Sequence, residues 1–391
     1  MKNIDINKTK HKIKVKENNN EIVMLLDNAF EPDIRVYKEA RYLVNKGYRV
    51  EIICLDKKNK YKDKATEKYD GINIRRFFCR TEKMTELIEK YNIISKLKSV
   101  IYFWWLLKFI AKIKKYLENR DFEILHCHDL IMTFIGVLFF KDKKIVFDMH
   151  EYYLNKKSKF QNWFIKKIVK YIQKKAMKII YVNEFQIKDV KYKEKLIYLP
   201  NYPEKNKFLK FSHIESLYLR ISYTGYVRHY IPLLNLMKAV DKLKDVKLTI
   251  NGSGDAYEPL MEQSKKLKNT TLTGPYKHDD IAKFYENTDL IYIVYNKGNK
   301  NDETAFPTKF FEAIITETPM LVLKDSAMGK FVEENNIGFT VDGTDSVSIE
   351  KVIKQIKDNP DLLEEKRKNI NKIASEYSWE EVVNNLKEIY E

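Results

Sequence analysis

The stretch Thr304-Ala305-Phe306-Pro307-Thr308-Lys309-Phe310-Phe311-Glu312-Ala313-Ile314 decides how the fold is interpreted. It follows the apolar run 290–295, whose length and β-branched content are typical of a buried strand. A polar loop over 296–303 leads to Pro307, which suits the first turn of a helix because that position needs no backbone N–H. The sequence therefore predicts a strand, a loop and a helix in succession.

Two charged residues of this helix, Lys309 and Glu312, indicate a binding site. Lys309 lies at the positive end of the helix, which is unfavourable for a cation unless an anion is bound there. Glu312 follows three residues later, so both side chains project from one face. A cation with free amides suits phosphate, and a carboxylate one turn away suits sugar hydroxyls. Taken alone, the stretch fits a clamp for a nucleoside diphosphate and equally an ordinary helix start with solvated side chains.

Length and composition predict two folded domains with anionic partners. The chain has 391 residues, more than one hydrophobic core usually serves. Its net charge of +17 favours nucleic acid, acidic lipid headgroups or phosphorylated substrates, although a general bias towards Lys would give the same value. The 44% of hydrophobic residues argues against disorder.

The cysteines and the N-terminus indicate the compartment. Cys54, Cys79 and Cys127 lie in apolar runs without metal-ligand or CxxC spacing, which predicts buried reduced thiols. Residues 1–20 form a polar tail without the apolar segment of a signal peptide, and no apolar run reaches transmembrane length. We therefore expect a cytoplasmic protein, which could lie at the inner face of the membrane.

The pattern of strands and helices predicts two doubly wound α/β halves. The segments 22–26, 35–45 and 49–55 read as strand, helix and strand, which favours a parallel sheet. The first loop has no GxGxxG fingerprint, which argues against a dinucleotide site in this half. The predicted organisation is a tail (1–20), a first domain (21–203), a linker (204–217), a second domain (218–374) and a C-terminal helix (375–391).

Two helices could contact a membrane. The segment 92–118 places adjacent tryptophans, Trp104 and Trp105, before a run of lysines, and the segment 160–176 is basic and amphipathic. Aromatic residues followed by a basic face are typical of a helix at a membrane surface. A core helix with a solvated lysine face is the alternative.

Histidines and carboxylates follow two strands of the first half. His126 and His128 end one predicted strand, and His150 and Glu151 follow the next. Doubly wound sheets bind ligands at this edge. The spacing of these residues matches no recognisable metal-ligand pattern, so no metal site is expected.

These residues, taken together, resemble the GT-B glycosyltransferases, specifically the large retaining group called family 4. The resemblance covers nearly the whole chain, and the order and spacing of its motifs are specific. The motifs are Asp33-Ile-Arg-Val36 with Glu39-Ala40, Asp148-Met-His-Glu151, Leu199-Pro-Asn201, Thr224-Gly225 with Arg228, Gly252-Ser-Gly254, Thr273-Gly274, the 306–313 segment, Thr318-Pro319 and Ser378-Trp-Glu380.

The resemblance implies a fold and an activity. The fold would be two Rossmann-like doubly wound domains facing across a cleft, with the C-terminal helix crossing back to the first domain. The activity would be transfer of a hexose from a UDP- or GDP-sugar to a glycan or lipid-linked acceptor. The resemblance further implies retention of configuration and a place in cell-surface polysaccharide or glycoconjugate synthesis. It also implies that no metal and no permanently bound cofactor takes part.

The resemblance also implies roles for individual residues. On the donor side, Glu312 would hold the ribose hydroxyls, and Arg228 and Lys309 would neutralise the diphosphate. The remaining donor-side residues are Gly225 and Gly252, where backbone approaches the phosphates, Tyr276 beside the base, and Thr304 and Thr308 around the helix start. The candidate catalytic residues are His150, which would face the transferred sugar, with Asp33 on the acceptor side and Glu151.

The sequence departs from the family pattern at three places. Thr304 stands where the family often has a first glutamate, so loop amides or Glu303 would contact the sugar instead. Leu233 stands where a lysine usually follows Arg228, a charge that Lys309 could supply. The glycine-rich first loop is replaced by residues 28–31.

Two rival functions remain open at this point. A UDP-sugar epimerase of the same fold would need no acceptor. A noncatalytic protein binding anionic membranes would account for the charge and the aromatic–basic helices. Nucleic-acid binding is not expected, because no compact recognition module is visible.

Overall fold

The computed structural model describes residues 20–31, 33–57, 59–79, 94–154, 158–188, 190–208 and 211–391. The predicted polar tail lies outside these ranges except for Asn20. The chain divides into two compact units, residues 1–147 with 175–177 and residues 148–174 with 178–391. Two largely parallel sheets with flanking helices confirm the predicted α/β class.

The first sheet has eight strands in the order β3-β4-β2-β1-β5-β6-β7-β8. Its centre pairs β1 in parallel with both β2 and β5, and β3 pairs antiparallel with β4. The strands are β1 (Glu21–Leu26), β2 (Arg49–Asp56), β3 (Thr66–Tyr69), β4 (Ile72–Phe78), β5 (Ile124–His128), β6 (Lys144–Asp148), β7 (Lys178–Tyr181) and β8 (Leu196–Tyr198).

Helices of the first unit bury one face against this sheet. They are α1 (Ile34–Asn45), α2 (Ile94–Leu117) and α3 (Asp129–Phe139). Phe109, Ile113 and Leu117 of α2 are buried in one cluster with Val23 and Leu25 of β1. Such burial contributes roughly 1.5–3 kcal/mol for each large apolar side chain.

The second sheet has six strands in the order β11-β10-β9-β12-β13-β14. Its pairings are parallel throughout, as predicted for the second half. The strands are β9 (Leu219–Thr224), β10 (Val246–Asn251), β11 (Thr270–Gly274), β12 (Leu290–Ile293), β13 (Met320–Leu323) and β14 (Gly338–Val341).

Twelve helices belong to the rest of the described chain, most of them around the second sheet. They are α4 (Lys159–Lys175), α5 (Glu184–Ile187), α6 (Tyr230–Asp241), α7 (Tyr257–Ser264), α8 (Ile281–Glu286), α9 (Lys300–Thr304), α10 (Thr308–Ile315), α11 (Ala327–Asn335), α12 (Ser346–Asp358), α13 (Asp361–Ile373), α14 (Trp379–Val382) and α15 (Lys387–Tyr390).

The sequence predicts one continuous helix at the C-terminus, but the structure shows two short helices there. The segment consists of α14, a 3₁₀ turn over 383–386, and α15. The backbone N–H of Trp379 donates to the carbonyl of Pro203 at 2.9 Å, and Asn385 Nδ2 donates to the carbonyl of Tyr198 at 2.9 Å. These bonds anchor the segment to β8 and the loop that follows it.

The three cysteines are buried and unpaired with one another, as the sequence indicates. Burial raises the pKa of the Cys54 and Cys127 thiols, so both stay protonated at neutral pH. Among the described residues, no helix combines the length and the apolar character needed to cross a bilayer.

Candidate active site

Two glycine turns lie against each other at the carboxyl ends of β9 and β10. Gly225 and Gly252 both adopt positive φ angles, 124° and 133°. Gly225 N–H donates to the carbonyl of Asn251 at 2.9 Å, and Val227 N–H donates to that of Ser253 at 3.0 Å. A Cβ at position 252 would lie 1.9 Å from the Gly225 oxygen. Only glycine permits this contact, which places two stretches of backbone side by side at the ligand-binding edge of the sheet.

Lys309 approaches the first of these turns from α10. Pro307 is the N-cap of α10, so the helix begins one residue later than predicted. The Lys309 ammonium lies 3.7 Å from the centre of the Tyr223 ring and 3.2 Å from where a Cβ of residue 225 would stand. Burial lowers the pKa of Lys309 to about 7, with Glu312 opposing and Arg228 reinforcing the shift. Near neutral pH the Lys309 amine is therefore only partly protonated, and an anion at the glycine turn would favour its charged form.

Glu312 is buried one turn further along α10, with only 4% of its surface exposed. The Tyr285 hydroxyl donates to Glu312 Oε2 at 3.1 Å and lies 3.1 Å from the Lys309 carbonyl. Burial, followed by the Glu312 charge, raises the pKa of Tyr285, which keeps this hydroxyl a donor. Tyr285 thus fixes the orientation of the carboxylate.

Arg228 and His229 follow the glycine turn. Arg228 is exposed, with its guanidinium 5.4 Å from the centre of the Tyr226 ring. His229 is buried and stacks on Tyr295 with ring centres 4.4 Å apart. Burial, then the charges of Arg228 and Lys309, lower the pKa of His229 to about 4. The imidazole is therefore neutral at physiological pH.

Asp302 is a site residue that the sequence reasoning missed. Its Oδ2 lies 3.9 Å from Nδ1 of His229. Burial raises the pKa of Asp302, while the Arg228 charge opposes this shift. The residue belongs to α9, a short helix within the predicted polar loop. A polar loop sequence carries no signal that singles out one of its carboxylates.

The neighbours of Asp302 bond to their own segment. Glu303 Oε1 accepts the backbone N–H of Gly298 at 2.7 Å. Thr304 Oγ1 donates to the carbonyl of Lys300 at 2.7 Å. Thr304, which stands at the position of the family glutamate, and the adjacent Glu303 therefore both stabilise the α9 segment.

The remaining predicted donor residues border this arrangement. Tyr276 packs edge-on against Phe284, with ring centres 4.9 Å apart. Burial, followed by the Glu312 charge, raises the pKa of Tyr276. Thr308 is the first residue of α10, directly before Lys309. Tyr276 and Thr308 therefore lie near the charged residues Glu312 and Lys309, respectively.

His150 is held by a carboxylate at the end of β6. Its Nε2 lies 2.7 Å from Oδ2 of Asp148, a buried residue. This partner fixes the orientation of the imidazole ring. Glu151 is exposed, and its charge contributes to raising the pKa of Asp302.

Asp33 has a structural contact in the first unit. It is the N-cap of α1, where its Oδ1 accepts the backbone N–H of Val36 at 3.4 Å. Its other oxygen accepts from Asn28 Nδ2 at 3.4 Å. One oxygen thus stabilises the helix start, as expected for an aspartate at this position.

A buried cluster of Glu39, His126 and His128 also lies in the first unit. One potential ligand atom from each lies within 4.8 Å of the others, and the two imidazole rings stack at 4.5 Å. Because Glu39 is far from His126 and His128 in the sequence, the spacing of residues along the chain could not predict this grouping. Arg35 Nε lies 3.1 Å from Glu39 Oε1, so the carboxylate already has a protein counter-charge.

Comparison with known proteins assigns both halves to the same class. The family described as "Glycosyltransferase Family 4" matches residues 34–196, and "Glycosyl transferases group 1" matches residues 201–377. No curated protein matches the sequence. With both halves matched, the chain belongs to the glycosyltransferases of the GT-B fold, as the motifs implied.

Solved structures share this fold at low sequence identity. Sucrose-phosphate synthase from Thermosynechococcus elongatus has a TM-score of 0.72 and 14% identity, with 95% of this chain and 98% of that chain covered. HepE from Anabaena in complex with UDP has a TM-score of 0.68 and 13% identity, with 94% of this chain and 99% of that chain covered. WaaG, a glycosyltransferase involved in lipopolysaccharide biosynthesis, has a TM-score of 0.63 and 10% identity, with 94% of this chain and 99% of that chain covered. Glycosyltransferases of this class use nucleotide-sugar donors.

Proposed function

We propose that the chain transfers a hexose from a UDP- or GDP-sugar to a glycan or lipid-linked acceptor with retention of configuration. The observation that carries this proposal is the convergence of Lys309, the paired glycine turns and the buried Glu312 at one sheet edge. A cation beside free backbone amides suits a diphosphate, and a fixed carboxylate suits the ribose hydroxyls. Synthesis of a cell-surface polysaccharide or glycoconjugate, from the cytoplasmic side, is the corresponding role.

The chemistry depends on stabilising the leaving group. As the bond between sugar and diphosphate breaks, negative charge develops on the phosphate oxygens and positive charge on the sugar ring. Arg228, Lys309 and the amides at the start of α10 supply positive charge and hydrogen bonds for the phosphate. Such preorganised groups usually make the largest contribution in sites of this kind. No metal is needed for this step.

We assign the acceptor side to residues 21–203 and the donor side to residues 218–374, with 204–217 as the linker. His150 positions or polarises the transferred sugar and does not act as a nucleophile. Its bond to Asp148 keeps the imidazole in one orientation for that purpose. Asp33 and Glu151 serve on the acceptor side.

A donor screen followed by product analysis tests the enzymatic proposal. UDP, GDP and their glucose, galactose, N-acetylglucosamine and mannose derivatives are tested for an increase in melting temperature. The stabilising donor is then incubated with and without oligosaccharide and lipid-linked acceptors, and the anomeric configuration of the product is measured by NMR. Transfer with retention is expected. Conversion of the donor without acceptor would establish the epimerase instead, and no response to any nucleotide would contradict both activities.

We further propose that α2 contacts an anionic membrane. Val100, Phe103, Trp104 and Leu107 follow one another at helical spacing and are all exposed, Phe103 and Trp104 by 57% each. Trp105 packs against the core, so only one of the adjacent tryptophans is available. All six charged residues of α2 are lysines. An exposed apolar stripe on an acid-free helix suits anionic headgroups.

Helix α4 has the same character. Phe160, Trp163 and Phe164 are each more than half exposed, and all six charged residues of the helix are lysines. Aromatic side chains next to lysines favour the interface between headgroups and acyl chains. Membrane contact through such helices would bring a lipid-linked acceptor to the enzyme.

Vesicle sedimentation tests the membrane proposal. The native chain should bind vesicles containing phosphatidylglycerol but not vesicles of phosphatidylcholine alone. Replacing Trp104 and Trp163 by Ser should weaken binding, whereas Val347→Ser, at an exposed apolar residue of α12, should not. Equal binding by both variants would contradict the assigned surface. Lipid binding without nucleotide binding would favour the noncatalytic membrane protein.

A further inference from the structure

His229 has a buried nitrogen that faces a carboxylate across a gap. Its Nδ1 has no hydrogen-bond partner within the described part of the chain. The nearest carboxylate oxygen, Asp302 Oδ2, lies 3.9 Å away, beyond hydrogen-bonding distance. Leaving a buried polar nitrogen unbonded costs about 1–3 kcal/mol. This arrangement suits a ligand group that can bond to both residues.

Two polar atoms 3.9 Å apart can both bond to a single hydroxyl group. A hydroxyl oxygen about 2.8 Å from each atom can donate its hydrogen to the carboxylate and accept a hydrogen bond from the imidazole N–H. The low pKa of His229, about 4, leaves its ring neutral and able to donate or accept. Stacking on Tyr295 holds the ring in place.

The gap lies next to the residues proposed to bind the diphosphate. The charges of Arg228 and Lys309 both act on His229, and that of Arg228 acts on Asp302. In a sugar nucleotide the transferred sugar is attached directly to the second phosphate. The sugar hydroxyls are therefore the ligand groups nearest to these two residues.

We infer that Asp302 and His229 bind a hydroxyl group of the transferred sugar, and that the donor carries a neutral hexose rather than a sugar acid. This inference rests on the proposed function. A carboxylate on the sugar would be repelled by Asp302 and by Glu151, whose charge also reaches this position.

The chain offers a matched control in the next carboxylate. Glu303 follows Asp302 on the same short helix, but its side chain accepts the backbone N–H of Gly298. Glu303→Gln retains an acceptor for this bond and removes one negative charge. A general effect of charge near Arg228 would therefore appear in Glu303→Gln as well as in Asp302→Asn.

The experiment compares nucleotide with sugar nucleotide in the full chain. Dissociation constants for UDP, UDP-glucose and UDP-glucuronate, and for GDP and GDP-mannose, are measured by calorimetry for the native chain, Asp302→Asn, His229→Phe and Glu303→Gln. Phe preserves an aromatic ring for stacking on Tyr295. We expect Asp302→Asn and His229→Phe to weaken binding of the preferred sugar nucleotide about tenfold or more. Binding of the parent diphosphate should change less than twofold, and Glu303→Gln should match the native chain.

The possible results separate this inference from the function on which it rests. An equal loss for diphosphate and sugar nucleotide would make Asp302 only a counter-ion of Arg228 and would overturn the inference. Unchanged binding of the sugar nucleotide by both variants, or tighter binding of UDP-glucuronate than of UDP-glucose by the native chain, would also overturn it. If the native chain bound no nucleotide, the proposed function would fail and the inference with it.

Discussion

The ammonium group of Lys309 lies 3.7 Å from the centre of the Tyr223 ring, next to the glycine turn that follows the same strand. The aromatic face attracts the cation, but burial favours its neutral form and lowers the pKa of Lys309 to about 7. The charge on this residue therefore depends on whether an anion is present. A diphosphate bound beside Lys309 would raise this pKa, because it would stabilise the protonated amine.

Donor affinity should fall as pH rises above about 7. The free enzyme loses the Lys309 proton in this range, whereas the complex retains it, so binding takes up a proton. Calorimetry between pH 7 and 9, in buffers of different ionisation enthalpy, should show weaker UDP binding and proton uptake. Lys309→Met should abolish the slope, while Lys330→Met, at an exposed lysine of α11, should retain it. A flat profile for the native chain would contradict the shifted pKa.

The stability of the ligand-free protein should show the opposite trend. The pKa of Lys309 is lower in the folded chain than in the unfolded chain, where lysine has its ordinary value near 10.4. Between these values the unfolded state binds more protons, so this residue makes the free energy of unfolding rise with pH. Denaturant titrations at pH 7 and 9 should show a smaller rise for Lys309→Met than for the native chain. An identical rise would exclude this contribution.

Glu312→Ala should weaken UDP binding by about 10–100-fold, the range expected when charged hydrogen bonds are lost. If the carboxylate binds the ribose, the variant should no longer distinguish UDP from 2′,3′-dideoxy-UDP, whereas the native chain should. This double comparison isolates the interaction. Tyr285→Phe, which removes the hydroxyl that orients Glu312, should give a smaller loss. Discrimination that survives in Glu312→Ala would rule out the ribose role.

Gly252→Ala should disrupt the donor site, and the loss should exceed the cost of placing an alanine at a positive φ angle. The new methyl group would lie 1.9 Å from the Gly225 oxygen, so the two turns would have to separate. Gly298→Ala is the matched control, because that residue also has a positive φ, 85°, but a Cβ added there would meet no atom within 4 Å outside the adjoining residues. The control should lose about 1–2 kcal/mol of stability and retain UDP binding. Similar UDP affinities in both variants would show that the close approach is unimportant for binding.

Replacing His150 by Ala should lower kcat about 100-fold or more while leaving UDP affinity nearly unchanged. Asp148→Asn should give a smaller loss, because the ring would keep a weaker partner. Steady-state kinetics would measure kcat for both variants, and calorimetry would measure their affinity for UDP. Full transfer activity in His150→Ala would remove this residue from the proposed mechanism.

The sequence was most informative where apolar periodicity is strong. Buried strands such as β1 and β12 consist of apolar runs, and their bounds agree with the prediction within about two residues. Strand β3 was missed because Thr66–Tyr69 is polar and forms an antiparallel edge with β4. Helix α9 was missed for a related reason, since Asn299 caps a short polar segment that has no apolar face.

The candidate site was only partly predictable. Lys309 and Glu312 share a helix start, so local spacing was enough to pair them. Asp302 and His229 are 73 positions apart, and only the structure places them 3.9 Å from each other. The same holds for Tyr285, whose contact with Glu312 joins two helices. Contacts between elements depend on packing, which spacing within one element does not encode.

The three buried cysteines make it possible to follow one unit of the chain by itself. Cys54, Cys79 and Cys127 all belong to the first unit, and the second contains none. Because a buried protonated thiol reacts slowly, alkylation in the absence of denaturant would measure how often the first unit opens. If a nucleotide held by the second unit slowed this reaction, the two units would unfold cooperatively. Unchanged alkylation would mean that each unit opens independently, so the native thiols can report energetic coupling without any engineered probe.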